Sequence, residues 1–352
     1  MAKKLFKGNE AIAEAAVLGG CRYFFGYPIT PQTEIPEYLS HRLFEVGGEF
    51  IQSESEVSAI NMVYGAAGAG GRAMTSSSSP GISLKQEGIS YLACAELPCV
   101  IVNMQRSGPG LGGIMPSQAD YFQAVKGGGH GDYKLLVYGP STIQEAVDLM
   151  YNAFDKAEQY RIPVFFLGDG MMGQLMEPVE MPPMKEVPSP EGKYYATTGT
   201  HSGKDRRIVN SLFIKADENE MQNLHLQEKY KLLEEKETLC EEFMAEDADF
   251  LIAAYGTVGR ISKSAIKTLR AQGYKVGLIR PITLFPFPSK VFEKYASGGK
   301  VKKILTIEHS AGQFVEDVRL SVNGKVPTPF YGRMGGVTIT PDEIVTKVKE
   351  VI

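Results

Sequence analysis

Short apolar runs that alternate with helical periodicity are the feature that most constrains the fold of this 352-residue chain. In the first half, four such runs end in Gly, Pro or polar residues: YFFGY (23–27), PCVIVNM (98–104), KLLVYG (134–139) and IPVFFLG (162–168). Continuous apolar runs of this length are typical of strands buried on both faces, and helical segments between them indicate parallel crossovers. The sequence therefore predicts an α/β fold with a doubly wound parallel sheet.

Two segments between these runs carry helix signals. Residues 57–69 are rich in Ala and Gly, whose small side chains permit close packing of a helix. Residues 141–159 show amphipathic spacing after a capping signal, in which Ser141 is followed closely by Glu145. We expect both segments to form helices, and the second to carry a crossover between parallel strands.

A proline-dense segment and a charged helix follow this first block. Residues 176–202 contain five prolines, so we expect a linker or a wrapping loop there rather than a periodic element. Residues 217–246 predict a long charged helix that lies across a surface between domains. Its narrow apolar stripe runs through Met221, Leu224, Leu232 and Leu239.

The βαβ pattern returns after Ala248. Apolar runs and helical segments alternate through 249–256, 259–272, 275–281, 289–297 and 302–309. A block of about a hundred residues is large enough for a small α/β domain. The sequence thus predicts three parts, which are residues 1–175, 176–247 and 248–352.

The charge and the apolar content exclude several classes of protein. Lys and Arg total 37 against 41 Asp and Glu, and the net charge of −4 lacks the basic footprint that nucleic-acid binding needs. No segment approaches ~18 consecutive apolar residues, and polar residues interrupt the N-terminal stretch where a signal peptide needs an unbroken apolar region. We therefore expect a soluble, cytoplasmic protein that binds neither nucleic acid nor a membrane.

The four cysteines do not form a recognisable framework. They are Cys21, Cys94, Cys99 and Cys240, and no C-x-x-C motif is present. So few cysteines in so long a chain predict no set of disulfides. We expect Cys94 and Cys99 to be buried structural thiols.

Polar stretches follow the apolar runs of the first block at four places. They are GYPITP (26–31), QSESEVSA (52–59), TSSSSPG (75–81) and NMQRSGPGLGG (103–113). Open α/β sheets place ligand sites at the carboxyl ends of their strands. These stretches therefore predict a cleft, built from loops, that binds a polar ligand.

Three residues in these stretches have both a chemical and a structural interpretation. Thr30 lies on a rigid turn, where it either contacts a ligand or simply belongs to a stiff strand exit. Arg106 follows a strand and precedes glycine turns, which suits a carboxylate or phosphate, or else a salt bridge that fixes the turn. Glu56 begins a small-residue helix, and composition alone favours a carboxylate that only interacts with the helix dipole.

Two phosphate-related patterns are incomplete. The glycines at 110–113 lack the G-x-G-x-x-G frame of dinucleotide-binding domains. The sequence GDG at 168–170 is typical of the magnesium site of thiamine-diphosphate enzymes, but no Asn follows in the window 192–202. We therefore expect Asp169 to cap the end of its strand instead.

Taken together, these motifs resemble one family over nearly the whole chain. GYPITPQTEIPEYL, QSESEVSAINMVYGAAGAGGRAMTSSSSPGISL and VIVNMQRSGPGLG are similar to the pyrimidine-binding (alpha-type) subunit of the 2-oxoacid:ferredoxin oxidoreductases. Residues 249–345 resemble the transketolase C-terminal-like domain that follows in these subunits. The resemblance implies a pyrimidine-type, thiamine-diphosphate-binding sheet followed by a transketolase C-terminal-like α/β domain.

The resemblance implies a catalytic role for Glu56, and not for Glu54. Its carboxylate would hydrogen-bond N1′ of the cofactor's aminopyrimidine, and the shared proton activates the thiazolium carbon. Two interpretations stay open for residues 76–79, which either touch the cofactor or coenzyme A or form a solvated polar loop.

The resemblance also implies how the substrate is bound. Thr30 would contact the oxo or carboxyl oxygens of a 2-oxo acid, and Arg106 would bind its carboxylate. Ile29 and Thr30 would contact the cofactor, while Tyr27 and Pro28 would shape the pocket wall.

The remaining cofactors are implied to belong to partner subunits. Thiamine diphosphate would be shared with a thiamine-diphosphate-binding beta subunit that supplies Mg²⁺. A gamma subunit and a ferredoxin-like small subunit with [4Fe–4S] clusters would complete the complex, with coenzyme A as co-substrate and ferredoxin as electron acceptor. A homodimer is possible for the isolated chain.

Within the family, the chain resembles the ketoisovalerate enzymes most and the 2-oxoglutarate enzymes next. The implied reaction is the oxidative decarboxylation of 3-methyl-2-oxobutanoate with coenzyme A to acyl-CoA, CO₂ and reduced ferredoxin. A second substrate carboxylate would need another cation, and the candidates are only Lys126, His130 and Lys134. The apolar residues near Arg106, which favour a branched tail, are Met104, Leu111 and Ile114. The same chemistry on 2-oxoglutarate or pyruvate, and a non-catalytic scaffold, are the alternatives.

Overall fold

Strands and helices alternate along the chain, as the apolar runs predict. The computed structural model describes residues 3–200 and 205–352. The strands are β1 (Lys4–Lys7), β2 (Tyr23–Gly26), β3 (Glu49–Gln52), β4 (Ala73–Ser77), β5 (Cys99–Gln105), β6 (Leu136–Tyr138), β7 (Pro163–Asp169), β8 (Met176–Val179), β9 (Cys240–Phe243), β10 (Phe250–Ala253), β11 (Val276–Pro281), β12 (Thr283–Phe285), β13 (Lys303–Glu308) and β14 (Phe330–Gly332). The α-helices are α1 (Gly8–Leu18), α2 (Glu34–Glu45), α3 (Glu56–Gly68), α4 (Ser79–Cys94), α5 (Ile143–Tyr160), α6 (Gly170–Gln174), α7 (Ala216–Lys236), α8 (Gly256–Ala271), α9 (Ser289–Ser297), α10 (Phe314–Val322) and α11 (Pro341–Val351).

The larger sheet has the strand order β12-β6-β7-β5-β4-β2-β3. Its strands pair in parallel, except that β12 runs antiparallel to β6 at the edge. Helices α1, α2 and α5 cover one face, and α3 and α4 cover the other. Apart from β3 at the edge, the parallel strands are nearly all buried, as expected for a sheet covered on both faces. This arrangement confirms the predicted doubly wound sheet.

The second block forms a smaller sheet with the order β14-β13-β10-β11-β9. Helices α8 and α11 pack on one face, and α9 and α10 on the other. The two blocks share one core, because the ring of Tyr121 lies 5.7 Å from both Tyr255 and Phe314. Strand β12 also joins the larger sheet from within the second block. A division of the chain at residues 175 and 247 therefore stays a prediction.

The charged helix is shorter than predicted and buries a different face. Helix α7 ends at Lys236, and the predicted continuation to residue 246 is wrong because β9 pairs antiparallel with β11 there. Its buried side chains are Leu226, Tyr230 and Leu233. The predicted stripe at Met221, Leu224, Leu232 and Leu239 is 40–67% exposed. Met221, Leu224 and Leu232 lie on faces of the helix that turn away from the core, and Leu239 lies beyond the end of the helix.

Two further local predictions are corrected. Thr142, not Ser141, is the N-cap of α5, since its Oγ1 accepts a 3.2 Å hydrogen bond from the amide of Glu145. The proline-dense segment begins with β8, which pairs antiparallel with β1. The part of this segment that follows does wrap over the molecule, as the 2.9 Å hydrogen bond from the Thr197 amide to the Gly68 carbonyl shows. Residues 201 and 202 of the predicted linker lie outside the described residues.

Across residues 3–200 and 205–352, none of the helices combines the length and apolar character that a membrane crossing needs.

Candidate active site

Glu56 and the first turn of α4 face each other. Glu56 is the first residue of α3, behind the N-cap Ser55, whose hydroxyl accepts a 3.2 Å hydrogen bond from the Ser58 amide. Only 6% of Glu56 is exposed, and a Cβ on Gly81 would lie 2.6 Å from its Oε1. The same Cβ would lie closer still to Ser77 Oγ, so a side chain at Gly81 would displace both the carboxylate and the serine hydroxyl.

The Glu56 carboxylate accepts no hydrogen bond from any residue in the described parts of the chain. Glu54, two residues earlier, is exposed, and hydrogen bonding with its own backbone amide and with Ser58 lowers the pKa of its carboxyl. Glu56, the buried one of these two glutamates, therefore has free acceptor positions that face the start of α4.

The serine-rich stretch is a buried strand and not a solvated loop. Residues 75–77 belong to β4, and the hydroxyl of Ser76 donates to Oε1 of Gln32. Ser77 and Ser78 are fully buried, and their hydroxyl groups have no hydrogen-bond partner. The interpretation of residues 76–79 as a solvated loop is therefore wrong. The run shows no alternation of polar and apolar side chains, because the strand is buried on both faces.

The YPITP loop leaves the sheet at the end of β2. Tyr27, Pro28 and Thr30 are exposed, and Ile29 is half-buried. Gln32 holds the loop, since its Nε2 donates a 3.3 Å hydrogen bond to the carbonyl of Tyr27. The exposed side chains are available to a ligand or to another chain.

Arg106 reaches that loop from the end of β5. Its Nη1 donates to the Thr30 carbonyl at 3.0 Å, and Nη2 donates to the Leu111 carbonyl at 2.9 Å. Arg106 is 8% exposed, and its Nε is buried without a partner. No carboxylate in residues 3–200 or 205–352 forms an ion pair with it, so the predicted alternative of a salt bridge to the glycine turn is not what the structure shows.

A hydrogen-bond network that sequence reasoning missed joins Arg106 to α4. The hydroxyl of Ser79 accepts a 3.0 Å hydrogen bond from the amide of Arg106 and donates to Asp120 Oδ2 at 2.6 Å. Asn103 Nδ2 also donates to Asp120 Oδ2 at 2.9 Å, while burial raises the pKa of the Asp120 carboxyl. Asp120 lies 17 residues beyond Asn103, and no local sequence pattern predicts a contact over such a separation.

Two cavities lie beside the hydrogen bond between Arg106 and the Thr30 carbonyl, one lined by Arg106 and the other lined by Thr30. The Arg106 cavity, of about 660 Å³, lies between the two blocks and is lined by residues that include Ser79, Arg106, Asp120, His309, Gln313 and Met334. The Thr30 cavity, of about 550 Å³, is lined by Thr30, Pro31, Thr33, Glu34, Ile114, Met115, Pro116, Gly170, Met171, Gln174 and Thr338. The structure therefore brings Thr30 and Arg106 together. Both Arg106 and Glu56 lie close to the first turn of α4, Arg106 at Ser79 and Glu56 at Gly81.

His309 contributes the second block's side of the Arg106 cavity. It is 2% exposed, and its Nε2 accepts a 2.9 Å hydrogen bond from the amide of Ile339. Burial lowers the pKa of the imidazole to about 4. The ring is therefore neutral at physiological pH.

Asp169 caps a helix, close to its predicted role at the strand end. Its Oδ1 accepts a 2.9 Å hydrogen bond from the Met172 amide at the start of α6, and burial raises the pKa of its carboxyl. In the ranges that the structure describes, no three His, Cys, Asp or Glu side chains are arranged to hold a metal ion.

The four cysteines are free thiols. Cys99 is buried as predicted, but Cys94 is only half-buried, because it ends α4 where the helix meets the segment after residue 205. Burial raises the pKa of the Cys21 thiol to about 12.

The fold and the site together define an α/β protein of the thiamine-diphosphate-binding class. Residues 14–242 match the family model described as "Pyruvate flavodoxin/ferredoxin oxidoreductase, thiamine diP-bdg", and residues 248–344 match "Pyruvate:ferredoxin oxidoreductase core domain II". The chain therefore belongs to the pyruvate flavodoxin/ferredoxin oxidoreductase family.

Individual relatives agree with this family. The chain is 48% identical over 351 residues to the ketoisovalerate oxidoreductase subunit VorB of Methanothermobacter marburgensis, with 100% of this chain and 98% of that protein covered. A solved 2-oxoglutarate:ferredoxin oxidoreductase of Magnetococcus marinus, with 2-oxoglutarate, coenzyme A and succinyl-CoA bound, superposes with a TM-score of 0.89 at 26% identity. That match covers 99% of this chain, which spans 65% of the other chain's length. A split-gene transketolase shares the fold, with a TM-score of 0.59, 13% identity and coverage of 98% of this chain and 97% of that one.

Proposed function

We propose that this chain is a subunit of a ferredoxin-dependent 2-oxoacid oxidoreductase that decarboxylates 3-methyl-2-oxobutanoate oxidatively to acyl-CoA. The observation that carries the proposal is the buried carboxylate of Glu56, which faces the start of α4 with its acceptor positions free. The 48% identity to a ketoisovalerate oxidoreductase subunit supports the choice of substrate.

The residues around Glu56 fit the pyrimidine half of thiamine diphosphate. Ser77 and Ser78 bury hydroxyl groups that have no partner in the described chain, and the lack of a side chain at Gly81 lets the Glu56 carboxylate pack against the start of α4 beside Ser77. A buried polar group without a partner costs roughly 1–3 kcal/mol, which a bound ligand offsets when it supplies the missing hydrogen bond. When bound, thiamine diphosphate supplies the carbon nucleophile that attacks the 2-oxo group.

Glu56 holds a proton at N1′ of the aminopyrimidine in this proposal. A carboxylate that has lost most of its water accepts a strong hydrogen bond from a protonated ring nitrogen. Ile29, at the neighbouring loop, and Thr30 contact the same cofactor, and Tyr27 and Pro28 form part of the pocket wall.

Arg106 binds the carboxylate of the 2-oxo acid. A guanidinium has five N–H groups, and the structure uses one on the Thr30 carbonyl and one on the Leu111 carbonyl. The other N–H groups donate to no residue in the described parts of the chain, and no carboxylate there pairs with the guanidinium. Its positive charge is therefore available to a substrate carboxylate. Thr30, whose backbone carbonyl accepts from Arg106, supplies its hydroxyl to the oxo or carboxyl oxygens in this proposal.

The Thr30 cavity favours a branched apolar tail. Ile114 and Met115 line it and are 59% and 53% exposed. Among its described lining residues there is no Lys or Arg to pair with a second carboxylate, as 2-oxoglutarate would need. The predicted cation candidate Lys126 forms an ion pair with Asp317 elsewhere.

The rest of the reaction belongs to partner subunits in this proposal. A beta subunit binds the diphosphate half and Mg²⁺, a ferredoxin-like subunit with [4Fe–4S] clusters passes electrons to ferredoxin, and a gamma subunit completes a cytoplasmic complex that uses coenzyme A. The relative's designation as a subunit supports a multi-subunit assembly. The isolated chain is inactive, and a homodimer is its proposed state.

A substrate comparison on the co-expressed complex tests this function. We expect thiamine-dependent viologen reduction with kcat/KM at least about tenfold higher for 3-methyl-2-oxobutanoate than for 2-oxoglutarate or pyruvate. A preference for either of the other acids would overturn the substrate assignment. Failure to reduce the dye with all three acids would favour a non-catalytic scaffold.

A further inference from the structure

Asp120 is a half-buried residue whose side-chain hydrogen bonds all lie on one of its two carboxylate oxygens. Oδ2 accepts from the Ser79 hydroxyl at 2.6 Å and from Asn103 Nδ2 at 2.9 Å. Within residues 3–200 and 205–352, no group donates a hydrogen bond to Oδ1, and no cationic side chain forms an ion pair with Asp120. The carboxylate therefore serves as a hydrogen-bond acceptor and not as one member of an ion pair.

The contact with Asp120 sets the direction of the Ser79 hydroxyl. A hydroxyl group has one proton to donate and lone pairs with which to accept. Two acceptors lie near this hydroxyl, which are Asp120 Oδ2 at 2.6 Å and the Arg106 carbonyl at 3.2 Å. The shorter distance is typical of a charge-assisted O–H···O⁻ bond, so the proton is directed at Asp120. The lone pairs of Ser79 are then available to the Arg106 amide, which donates to them at 3.0 Å.

Asn103 completes this arrangement from β5. Its Oδ1 accepts a 3.1 Å hydrogen bond from the Ser79 amide, while its Nδ2 donates to Asp120. Asn103 is fully buried, so both ends of its side chain need these partners. The first turn of α4, the end of β5 and Asp120 are thus joined in one network that includes the backbone of Arg106.

The second block holds the segment that carries Asp120. Gln313, at the N-cap of α10, donates from Nε2 to the Ala119 carbonyl at 2.7 Å. Its Oε1 accepts a 2.8 Å hydrogen bond from the Phe122 amide. One side chain of the second block therefore fixes the backbone on both sides of Asp120.

We propose that Asp120 is a positioning residue for Arg106, which draws the proton of the Ser79 hydroxyl to itself and so leaves Ser79 to accept from the Arg106 amide. The second block takes part in substrate binding in this way, since Gln313 holds the segment that carries Asp120. The inference rests on the proposed role of Arg106 in binding the substrate carboxylate. No proton or electron is transferred in this role, because Asp120 acts only as an acceptor.

Two replacements of Asp120 separate the need for an acceptor from the need for a charge. Asp120→Asn keeps an oxygen in the place of Oδ2, since its amide nitrogen can take the place of the unpartnered Oδ1. Asp120→Leu has a similar size but no acceptor. In the assembled complex, we expect Asp120→Leu to raise KM for 3-methyl-2-oxobutanoate about tenfold, and Asp120→Asn to change it less than about threefold. Equal losses of kcat in both variants would show that the charge itself is needed, which would overturn the positioning role.

Combined variants show whether Asp120 acts through Ser79 and Arg106. Ser79→Ala should raise KM about as much as Asp120→Leu, and the double variant should be no worse than either single variant. In a chain that carries Arg106→Met, Asp120→Leu should raise KM by less than about twofold more. Additive effects in either pair would overturn the proposal.

Hydrogen exchange of the Arg106 amide tests the contact on the purified chain, without cofactor or substrate. By NMR, we expect Ser79→Ala and Asp120→Leu to speed this exchange about tenfold or more, and Asp120→Asn to leave it near the wild-type rate. Asp155→Asn is the matched control, because Asp155 also binds cationic side chains but lies on α5, which does not line the Arg106 cavity. Ser79→Ala removes few atoms and keeps the measurement decisive if Asp120→Leu does not fold. Unchanged exchange in Ser79→Ala would overturn the proposal.

The kinetic results also separate this inference from the proposed function. A wild-type KM in the Arg106→Met complex would overturn the proposed role of Arg106, and the positioning role with it. A raised KM in Arg106→Met together with an unchanged KM in Asp120→Leu would overturn the positioning role alone.

Discussion

The backbone carbonyl of Thr30 accepts a 3.0 Å hydrogen bond from Nη1 of Arg106. This contact joins the loop after β2 to the loop after β5, and Nη2 adds the 2.9 Å hydrogen bond to Leu111. The guanidinium is therefore fixed before any substrate arrives. A group held in place in advance loses less entropy when it binds, and this is the advantage that a carboxylate-binding residue needs.

Replacement of Arg106 tests its assignment to the substrate carboxylate. We expect Arg106→Met to raise KM about 30-fold or more for every 2-oxo acid, because a charge-assisted hydrogen bond contributes roughly 2 kcal/mol or more. Steady-state kinetics on the assembled complex measure this. Arg42→Met is the control, since it removes an ordered guanidinium that binds Glu14 and should leave KM unchanged. An unchanged KM in Arg106→Met would return Arg106 to a structural role in its turn.

Gly81 tests the geometry around Glu56. A Cβ at this position would lie 2.6 Å from Glu56 Oε1 and closer still to Ser77 Oγ, so Gly81→Ala should displace both the carboxylate and the serine hydroxyl and lower kcat about tenfold or more. Gly65→Ala is the matched control, because a Cβ there meets nothing within 4 Å and should stabilise α3 by about 0.5–1 kcal/mol. Equal kcat values for the two variants would show that catalysis does not depend on the exact position of the Glu56 carboxylate.

A new cation in the Thr30 cavity tests the substrate preference. We expect Ile114→Lys to lower kcat/KM for 3-methyl-2-oxobutanoate and to raise the relative rate on 2-oxoglutarate about tenfold, because a second carboxylate gains a partner. Leu111→Lys is the control, since Leu111 is 81% exposed and does not line this cavity. The same shift in both variants would point to a general charge effect rather than to the cavity.

His309 predicts a loss of stability at acidic pH. Its pKa is lowered from 6.5 to about 4 by burial, so between these values the unfolded chain binds a proton that the folded chain does not. Stability from this group is complete above pH 6.5 and falls as the pH drops to 4. Urea unfolding measures the fall in the free energy of unfolding as the pH drops. We expect this fall to be about 2 kcal/mol smaller in His309→Gln than in wild type. The exposed His41→Gln is the control, and identical pH slopes for wild type and His309→Gln would contradict the prediction.

The main elements of the fold followed from the sequence because a strand buried on both faces must be apolar throughout. The runs YFFG and CVIVNMQ predict buried strands, and the spacing of the apolar residues between them predicts helices. Strand β12 was not predictable, since its three residues pair with a strand about 145 positions earlier. The buried face of α7 likewise depends on which neighbours it meets rather than on its own composition.

The site was predictable in its parts but not in its connections. The four polar stretches were recognised because they follow strands that end at one edge of the sheet. Asp120 and His309 were missed, because one lies beyond a glycine-rich loop and the other lies in the second block, about 200 positions after Arg106. Their roles depend on burial and on contacts with residues distant in sequence.

The central claim is that Glu56, and not its neighbour Glu54, activates the cofactor. The direct test is the thiamine-dependent initial rate of viologen reduction by 3-methyl-2-oxobutanoate in assembled complexes that carry Glu56→Gln or Glu54→Gln. We predict that Glu56→Gln lowers the rate at least about a hundredfold while the complex still assembles, and that Glu54→Gln retains most of the rate. A wild-type rate in the Glu56→Gln complex would contradict the account.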